Sequence, residues 1–360
     1  MIYITKTPFR ISFFGGGTDY PTWYLRHSGA VLCTSIDKYC YITCRTFPPF
    51  FPDAYRIVWS HIENVSSIAE ILHPAVREGL RMMNFANERG VEIHHQGDLP
   101  ARSGMGSSSA FANGLLLALS ALQGAPLDKV TLYLRSIELE QERLKESVGS
   151  QDQVATAVGG MNLVRFRTDG ATEVQPLRAH PLRLAALNRS LMLFFTGTSR
   201  LASSIASELI GSLAEKGPVL ERMMEMVQEA AELLRGDGDL DEFGRLLHEG
   251  WLLKRSISPA ISTPAIDEIY ATARRHGALG GKLLGAGGAG FMLFYAPPDA
   301  QDALRAALPH LLHVPFRFES KGARLIQNDD EADTALPEWR PRGGSRAARH
   351  SALATSPAAE

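Results

Sequence analysis

A loop rich in glycine and serine, Ser103–Ser109, carries the residue types best suited to chemistry in this sequence. Directly after it, apolar residues recur at helical spacing from Phe111 to Leu119, so the loop is predicted to open into a helix. The first backbone amides of a helix have no intrahelical partner, and together with the helix dipole they attract anions. The loop is therefore predicted to bind a phosphate group, most naturally that of a nucleotide.

Each residue type in and before this loop has a physical reason to be there. Glycines let the backbone approach a ligand closely, serine hydroxyls can cap the helix or reach a metal ion, and a proline stiffens the entry. The candidate nucleotide-binding residues are Pro100, Ser103, Gly104, Met105, Gly106, Ser107, Ser108 and Ser109. The alternative is an ordinary helix capped by a serine after a glycine turn, without a ligand.

A second glycine loop, GAGGAG at 285–290, formally satisfies the G-x-G-x-x-G pattern of dinucleotide-binding folds. That pattern must follow a strand and open a helix, whereas here it leads into the strand-like run FMLFY, which argues against a Rossmann site. The first loop lacks the Gly-Lys-Ser/Thr ending of a P-loop. We therefore predict a phosphate loop without an obligatory lysine and a second loop, with Gly287 and Gly288, that closes over the substrate.

The overall composition limits the classes of partner. The 360 residues include 37 Lys and Arg and 39 Asp and Glu, for a net charge of −2, so no nucleic acid or anionic membrane is expected to bind. The three cysteines, Cys33, Cys40 and Cys44, form no CxxC pair and are predicted to be reduced core thiols. No apolar stretch suits a membrane span or a signal core, which predicts a cytoplasmic protein.

The elements that would position the two loops are a mixture of strands and helices. Patterns typical of strands occur at 1–14, 30–46, 55–60, 91–95, 161–167, 191–197, 291–297 and 313–319. Helical patterns follow the first loop and also occur at 66–88, 128–146, 201–235, 239–256 and 262–276. The mixture predicts an α+β protein of two domains, followed from about residue 330 by a disordered tail rich in Pro, Ala, Arg and Ser.

Three motifs in a fixed order carry a family resemblance. TPFRISFFGGGTDY (7–20), LPARSGMGSSSAFANG (99–114) and GGKLLGAGGAGFMLF (280–294) resemble the three motifs of the GHMP kinases, named for the galactokinase, homoserine, mevalonate and phosphomevalonate kinases. Up to about residue 330 the chain is most similar to the D-glycero-D-manno-heptose 7-phosphate kinases, through FRISFFGGGTDY, DLPARSGMGSSS and VGSQDQ. The resemblance implies an ATP-binding, ribosomal-S5-like α/β domain at 1–185, a ferredoxin-like α+β domain at 186–330, an active site in the cleft between them, and a tail at 331–360.

The resemblance also implies two catalytic residues outside the loops. Asp152, in GSQDQ, matches the GIMDQ stretch of galactokinases and would accept the proton of the acceptor hydroxyl or orient that hydroxyl. Arg10 matches the basic position of the first motif, where a cation would stabilise the carboxylate and the developing nucleophile. The alternative is a purely structural pair of an arginine and an aspartate.

A Mg²⁺ ion beside the ATP phosphates is a further implication of the resemblance. The hydroxyl of Ser108 would coordinate it, with Ser107 as the alternative. A glutamate from the helix that precedes the Asp152 segment would add a carboxylate. Four residues compete for that role: Glu138, Glu140, Glu142 and Glu146. Glu140 is preferred because its distance along the chain from Asp152 resembles that in galactokinases.

Substrate-binding residues follow from the first motif. Thr18 and Asp19 match the TDY sequence of galactokinases, whose aspartate binds sugar hydroxyls; a turn or capping role is the alternative. Gly16 and Gly17 replace the Glu-His pair of galactokinases, which opens space for a bulkier or phosphorylated sugar. A substrate phosphate would need cations, for which the candidates are Arg10, Lys38, Arg45, Arg102 and Lys282.

The implied activity is transfer of the ATP γ-phosphoryl group, with Mg²⁺, to the anomeric hydroxyl of D-glycero-D-manno-heptose 7-phosphate. The product would be the 1,7-bisphosphate, used to make nucleotide-activated heptose. The alternatives are a related sugar-1-kinase acting, for example, on L-fucose, and a catalytically silent sensor of sugar and ATP. The expected partner is a small sugar phosphate, and neither a nucleic acid nor a membrane is expected to bind. The chain is also expected to be able to form a homodimer.

Overall fold

The chain folds around two β-sheets. The computed structural model describes residues 1–48, 50–86, 90–197 and 216–328. In chain order, the strands of these residues are β1 (Ile2–Phe14), β2 (Gly29–Thr46), β3 (Tyr55–Val58), β4 (Ile62–Val65), β5 (Val91–Gly97), β6 (Met161–Phe166), β7 (Thr172–Pro176), β8 (Leu191–Phe195), β9 (Gly280–Leu283), β10 (Phe291–Tyr295), β11 (Leu312–His313), β12 (Phe318–Glu319) and β13 (Arg324–Asn328). The α-helices are α1 (Pro21–His27), α2 (Pro74–Met82), α3 (Ser107–Leu122), α4 (Lys129–Ile137), α5 (Gln151–Val158), α6 (Pro181–Ser190), α7 (Gly217–Arg235), α8 (Asp241–Ile257), α9 (Pro264–Arg275) and α10 (Gln301–Ala307).

The first sheet has nine strands. Its main path runs β13–β1–β2–β5–β3–β4, while β6 and β12 also pair with β2, and β7 pairs with β6. The long strands β1 and β2 are antiparallel, and their register shifts between Pro8 and Arg10. Register shifts of this kind redirect side chains and are frequent beside functional sites. Arg10, which is paired with Ser35, therefore directly follows an irregular point of β1.

Helix α3 lies in the interior against this sheet. Its residues from Ser109 to Ala121 are all buried, as expected for a helix that is apolar around its whole circumference. Gly114 allows close contact with the sheet, because a Cβ there would lie 3.1 Å from both the Thr7 hydroxyl and the Ile42 side chain. This packing fixes the position of the helix N-terminus, where the glycine- and serine-rich loop ends.

The second sheet has four antiparallel strands in the order β11–β8–β10–β9. Helices α7, α8 and α9 connect β8 to β9, a tight loop connects β9 to β10, and α10 connects β10 to β11. This succession of strand, helix, two strands, helix and strand is the ferredoxin-like arrangement. The predicted α+β class and the predicted form of the second sheet are therefore confirmed.

Some elements differ from the sequence prediction. The single helix predicted at 66–88 is a 3₁₀ turn at Ile68–Glu70 followed by α2, because a proline is tolerated in the first turn of a helix but interrupts its interior. The helix predicted at 128–146 is α4 followed by a π-helix at Glu138–Arg143. The first part of the predicted 201–235 helix and the predicted tail at 331–360 lie outside the described residues.

The last two strands return to the first sheet. β12 pairs with β2 and β13 pairs with β1, so residues 318–328 complete the first sheet although they follow the second sheet in the chain. The domain limits 1–185 and 186–330 stay a prediction. Among the described residues, no helix is both long enough and apolar enough to cross a lipid bilayer.

Candidate active site

A cavity of about 530 Å³ lies where the two sheets and their helices meet. The N-terminal half of the chain contributes Arg10, two glycines and three serines of the first loop, Glu140 and the start of α5 to its lining. The C-terminal half of the chain contributes Lys254, Lys282 and the beginning of the second glycine loop. The cavity thus brings together residues as far apart in the sequence as Arg10 and Ala286.

The first loop presents unpaired backbone amides to this cavity. Gly106 precedes α3 in a left-handed conformation with φ of 73°, and no side chain caps the helix. The Ser107 hydroxyl instead accepts a hydrogen bond from the Arg102 amide at 3.0 Å. Because the first amides of a helix have no intrahelical partner, this end of α3 can bind an anion. The alternative of a serine-capped helix start does not describe this geometry.

The two glycine loops touch each other. Gly104 has a φ of 80°, and a Cβ on it would lie 2.4 Å from the Leu284 carbonyl oxygen. A Cβ on Gly285 would lie 2.5 Å from the Gly104 Cα. Only glycines permit this approach, because any side chain would overlap the facing backbone. The second loop therefore forms a wall of the same cavity as the first.

Arg10 and Asp152 form a bidentate ion pair at the wall of the cavity. The guanidinium Nε donates to Asp152 Oδ1 at 2.7 Å and Nη2 donates to Oδ2 at 2.6 Å, while Nη1 donates to the Gly104 carbonyl at 2.7 Å. Burial disfavours the charged guanidinium, but the Asp152 carboxylate outweighs this effect and the pKa of Arg10 is raised. The Asp152 side chain keeps 25% of its surface exposed, so its carboxylate remains accessible from the cavity.

Asp19 is a buried carboxylate beside this pair. Its Oδ1 accepts a hydrogen bond from the Gly17 amide at 3.0 Å and its Oδ2 accepts one from the Gln151 amide at 3.4 Å. Burial and the nearby Asp152 charge raise its pKa, and the two amides partly oppose that effect. Gly149 makes room for the carboxylate, since a Cβ there would lie 1.9 Å from Asp19 Oδ2.

Glu140 is fully buried within the π-helical segment. Its Oε2 accepts hydrogen bonds from the Ser109 hydroxyl at 2.7 Å and from the Gln153 side-chain amide at 2.5 Å, while its Oε1 is buried and has no partner among the residues that the structure describes. Burial raises its pKa to about 7, although hydrogen bonds from serine hydroxyls oppose the rise. An unpartnered carboxylate oxygen at the cavity wall is suited to a hard divalent cation.

The serine predicted to bind the metal lies nearby but has another partner. Ser108 is exposed, and its hydroxyl donates to Glu146 Oε2 at 3.5 Å, whereas Ser109 bonds Glu140 directly. Burial raises the pKa of Glu146, and the Arg102 charge opposes this. Two serine hydroxyls and two of the four competing glutamates therefore face one region of the cavity.

Several residues predicted from the sequence do not reach the cavity. Gly287 and Gly288 are buried against the backbone of Ile261, and Gly285 and Ala286 line the cavity in their place. Thr18 is also buried, and its hydroxyl donates to the carbonyls of Gly15 and Ala30. Its role is to close the turn after β1.

Two residues of the first loop, Ser103 and Met105, and Pro100 before the loop also have structural positions away from the cavity. The Ser103 hydroxyl donates to the Pro100 carbonyl at 2.7 Å, and Met105 is fully buried in the core. None of the three lines the cavity, whereas Gly104, Gly106 and the serines at 107–109 do. Among the candidate cations, Lys38 and Arg45 pair with acidic residues elsewhere.

The sequence prediction missed Lys254 and the polar residues Ser12 and Gln151. Lys254 lies on α8, and its ammonium group donates to the carbonyls of Leu283 at 3.0 Å and Gly285 at 2.6 Å. Its position in the otherwise apolar run WLLK is the one signal in the sequence. Lys282, which the sequence offered only as one of five candidates, donates to the Phe13 carbonyl at 2.8 Å.

The comparisons with known proteins agree with this geometry. Residues 68–160 match the GHMP kinases N terminal domain and residues 226–313 match the GHMP kinases C terminal domain, and together these matches cover about half of the chain. The chain belongs to the GHMP kinases. The GHMP kinases are ATP-dependent, and the resemblance drawn from the three motifs is confirmed.

This GHMP kinase also resembles individual curated proteins. It is 28% identical over 313 residues to the D-glycero-alpha-D-manno-heptose 7-phosphate kinase of Campylobacter jejuni, which covers 84% of this chain and 92% of that protein. It is 30% identical over 365 residues to the L-fucokinase/L-fucose-1-P guanylyltransferase of Bacteroides fragilis, covering 90% of this chain. The chain spans only 38% of the length of that second relative.

Solved structures show the same fold. A D-glycero-D-manno-heptose 1-phosphate kinase from Bacteroides thetaiotaomicron superposes with a TM-score of 0.68 at 24% identity, covering 91% of this GHMP kinase and 99% of that chain. Lactococcus lactis galactokinase in complex with galactose gives a TM-score of 0.70 at 16% identity, covering 90% and 95%. The predicted two-domain GHMP kinase fold is thereby confirmed.

Proposed function

We propose that this protein is an ATP-dependent sugar kinase that phosphorylates the anomeric hydroxyl of D-glycero-D-manno-heptose 7-phosphate. The product is the 1,7-bisphosphate, a precursor for nucleotide-activated heptose. The observation that carries the proposal is the bidentate Arg10–Asp152 pair at the wall of a cavity that also contains the uncapped start of α3. The 28% identity with the heptose 7-phosphate kinase supports this choice of sugar.

The catalytic roles follow from the positions of these groups. Phosphoryl transfer needs donors for the phosphate oxygens and an acceptor hydroxyl held in line. The amides of Gly104, Gly106 and the three serines would bind the ATP phosphates. The Asp152 carboxylate would accept the proton of the sugar hydroxyl, while Arg10 holds that carboxylate in place and offsets charge on the nascent alkoxide.

The residues at the start of α3 fit a magnesium ion. Glu140 Oε1 is buried and has no partner in the described part of the chain, and the hydroxyls of Ser108 and Ser109 lie in the same region as the Glu146 carboxylate. We propose that Glu140 and Ser108 hold Mg²⁺, as the sequence predicted, and that Ser109 orients Glu140. When bound, Mg²⁺ neutralises charge on the ATP phosphates.

The sugar contacts are proposed for Asp19 and the glycines of the first motif, which line the same cavity as the Arg10–Asp152 ion pair. Asp19 would accept hydrogen bonds from sugar hydroxyls, and the open space at Gly16 and Gly17 would admit the heptose chain. Both glycines line the cavity. The cytoplasmic location and the homodimer expected from the sequence stay predictions.

A second candidate is an L-fucokinase-like sugar-1-kinase, favoured by the 30% identity with the Bacteroides fragilis relative. A panel of sugars separates the two. ADP release should be measured with heptose 7-phosphate, unphosphorylated heptose, L-fucose and D-galactose, and ³¹P NMR of the product should locate the new phosphate. Preferred turnover of heptose 7-phosphate at C1 supports the proposal, and preferred turnover of L-fucose supports the alternative. Binding of ATP and sugar without any ADP release would identify a silent sensor.

A further inference from the structure

Four buried residues of the cavity lining, Ser12, Gln151, Lys254 and Lys282, carry polar groups that the proposed phosphoryl transfer does not use, and we call this part of the lining the inner end. All four side chains line the cavity and are less than a tenth exposed. The Ser12 hydroxyl and Gln151 Oε1 are buried and have no hydrogen-bond partner among the described residues. They surround Gly16, since a Cβ there would lie 3.8 Å from Ser12 Oγ and 3.7 Å from Gln151 Nε2. Buried polar atoms without partners are uncommon unless a ligand or water satisfies them.

The two lysines carry unused hydrogen-bond donors. An ammonium group has three N–H bonds; Lys254 gives two of them to main-chain carbonyls, and Lys282 gives one, to Phe13 directly after Ser12. Within the part of the chain that the structure describes, no carboxylate forms a salt bridge with either lysine. When both lysines are protonated, as a bound anion would favour, the inner end therefore offers three further N–H donors on two cations, and none of the described carboxylates forms a salt bridge with them.

Such an arrangement is unfavourable without a bound anion. Burial lowers the pKa of Lys254 to about 7, with a further contribution from Arg10. Burial also lowers the pKa of Lys282 well below its ordinary value, with contributions from the Lys254 and Arg10 charges. The charge of Asp19 raises the pKa of both lysines, but the Asp19 oxygens already accept hydrogen bonds from backbone amides. A bound dianion would offset the mutual repulsion of these cations.

We propose that the inner end of the cavity binds the substrate's own phosphate ester, remote from the hydroxyl that is phosphorylated. Lys254 and Lys282 donate to its non-bridging oxygens, while Ser12 and Gln151 bind a hydroxyl of the connecting sugar chain. The inference deepens the proposed function, on which it rests, by assigning this chain's specificity for a phosphorylated sugar to four residues. The nucleotide phosphates have a separate set of donors at the start of α3.

This subsite predicts strong selectivity for the phosphorylated sugar. A site whose buried polar groups are satisfied only by a particular substrate group discriminates against an analogue that lacks the group. We define the selectivity ratio as kcat/KM for heptose 7-phosphate divided by kcat/KM for the same heptose without phosphate. Because both values come from one enzyme preparation, a partial loss of folded protein cancels in this ratio.

The test compares Lys254→Met and Lys282→Met with Lys38→Met, a lysine outside the cavity. Each of the first two changes removes charge-assisted hydrogen bonds to the phosphate and is expected to lower the ratio about 10- to 100-fold. Lys38→Met should leave it unchanged. An unchanged ratio in both cavity variants, or an equal fall in kcat with both sugars, would overturn the inference, since the lysines would then serve the fold or the transferred phosphoryl group.

Calorimetric titration separates failure of this inference from failure of the proposed function. If the wild-type protein phosphorylates no sugar, the proposed function is wrong, but binding of heptose 7-phosphate and of heptose can still be compared. Tighter binding of the phosphorylated sugar, lost in both cavity variants, supports the subsite. Equal binding of the two sugars by the wild type rules it out.

Discussion

Replacing Asp152 with asparagine removes the proposed proton acceptor while nearly preserving its shape. Loss of a positioned general base lowers kcat by about 100- to 10,000-fold in other enzymes. The change also leaves Arg10, which is 3% exposed, without its carboxylate partner. Breaking a buried ion pair costs about 3–5 kcal/mol. We expect the lower end, because the Asp152 side chain is 25% exposed and Arg10 keeps its hydrogen bond to the Gly104 carbonyl.

Two measurements separate these effects. Steady-state kinetics should give the fall in kcat with little change in the KM for ATP, because the nucleotide is expected to bind to the loop amides rather than to Asp152. Urea unfolding should give a loss of about 3 kcal/mol in the free energy of unfolding. Asp302→Asn is the matched control, since Asp302 is exposed and its ion pair is with Arg305 in the same helix, and it should change neither quantity.

The result that refutes the reasoning is turnover near the wild-type value in Asp152→Asn. If stability fell by the expected amount while kcat stayed the same, the pair would be a structural one. A large rise in the KM for ATP with normal kcat would place Asp152 in nucleotide binding. Only a fall in kcat that exceeds the fraction of unfolded protein supports proton transfer.

Three further perturbations test the loop and the metal site. Gly104→Ala should weaken ATP binding and should lower the free energy of unfolding in urea by about 1–3 kcal/mol more than Gly124→Ala does. Both glycines have a φ near 80°, but a Cβ on Gly104 would lie 2.4 Å from the Leu284 carbonyl oxygen, whereas a Cβ on Gly124 would meet no atom within 4 Å. Equal losses of stability in the two variants would contradict this reasoning. The pKa of Glu140 is raised from 4.5 to about 7, so between these pH values the native state binds more protons at this residue than the unfolded state does. The stability of the metal-free protein should therefore fall as pH rises from about 4.5 through 7, by at most about 1.4 kcal/mol per pH unit. Glu140→Gln should flatten that slope, and an identical slope in both proteins would show that another group titrates. Removal of Mg²⁺ with EDTA should abolish ADP release without a change in circular dichroism, and full activity in EDTA would exclude the proposed metal.

The sequence predicts those parts of the site whose geometry is local or carried by ordered motifs. The start of α3 follows from the loop and the apolar run behind it, because both depend on neighbouring residues. Arg10 and Asp152 are 142 positions apart, and their pairing was predicted only through the resemblance to galactokinase motifs. The types of these two residues and their separation along the chain do not by themselves predict that they pair.

The remaining parts depend on packing between distant segments. Lys254 lies on an amphipathic helix, where a lysine is ordinarily expected at the solvent side, and its burial follows from the closeness of the second glycine loop. That loop turns Gly285 and Ala286 toward the cavity because Gly287 and Gly288 pack against Ile261. The rotation of α3 that directs Ser109 toward Glu140 is likewise set by tertiary packing.

The pairing of β13 with β1 has a consequence for synthesis of the chain. Strand β1 carries Arg10, yet residues 3–6 at the start of this strand acquire β13 as a neighbour only when residues 324–328 have left the ribosome. Until then the main-chain groups of residues 3–6 lack this partner along that edge, and an unpaired edge is the kind of surface that joins to other chains. The proposed catalytic arginine is therefore made more than 300 residues before the strand that completes its sheet.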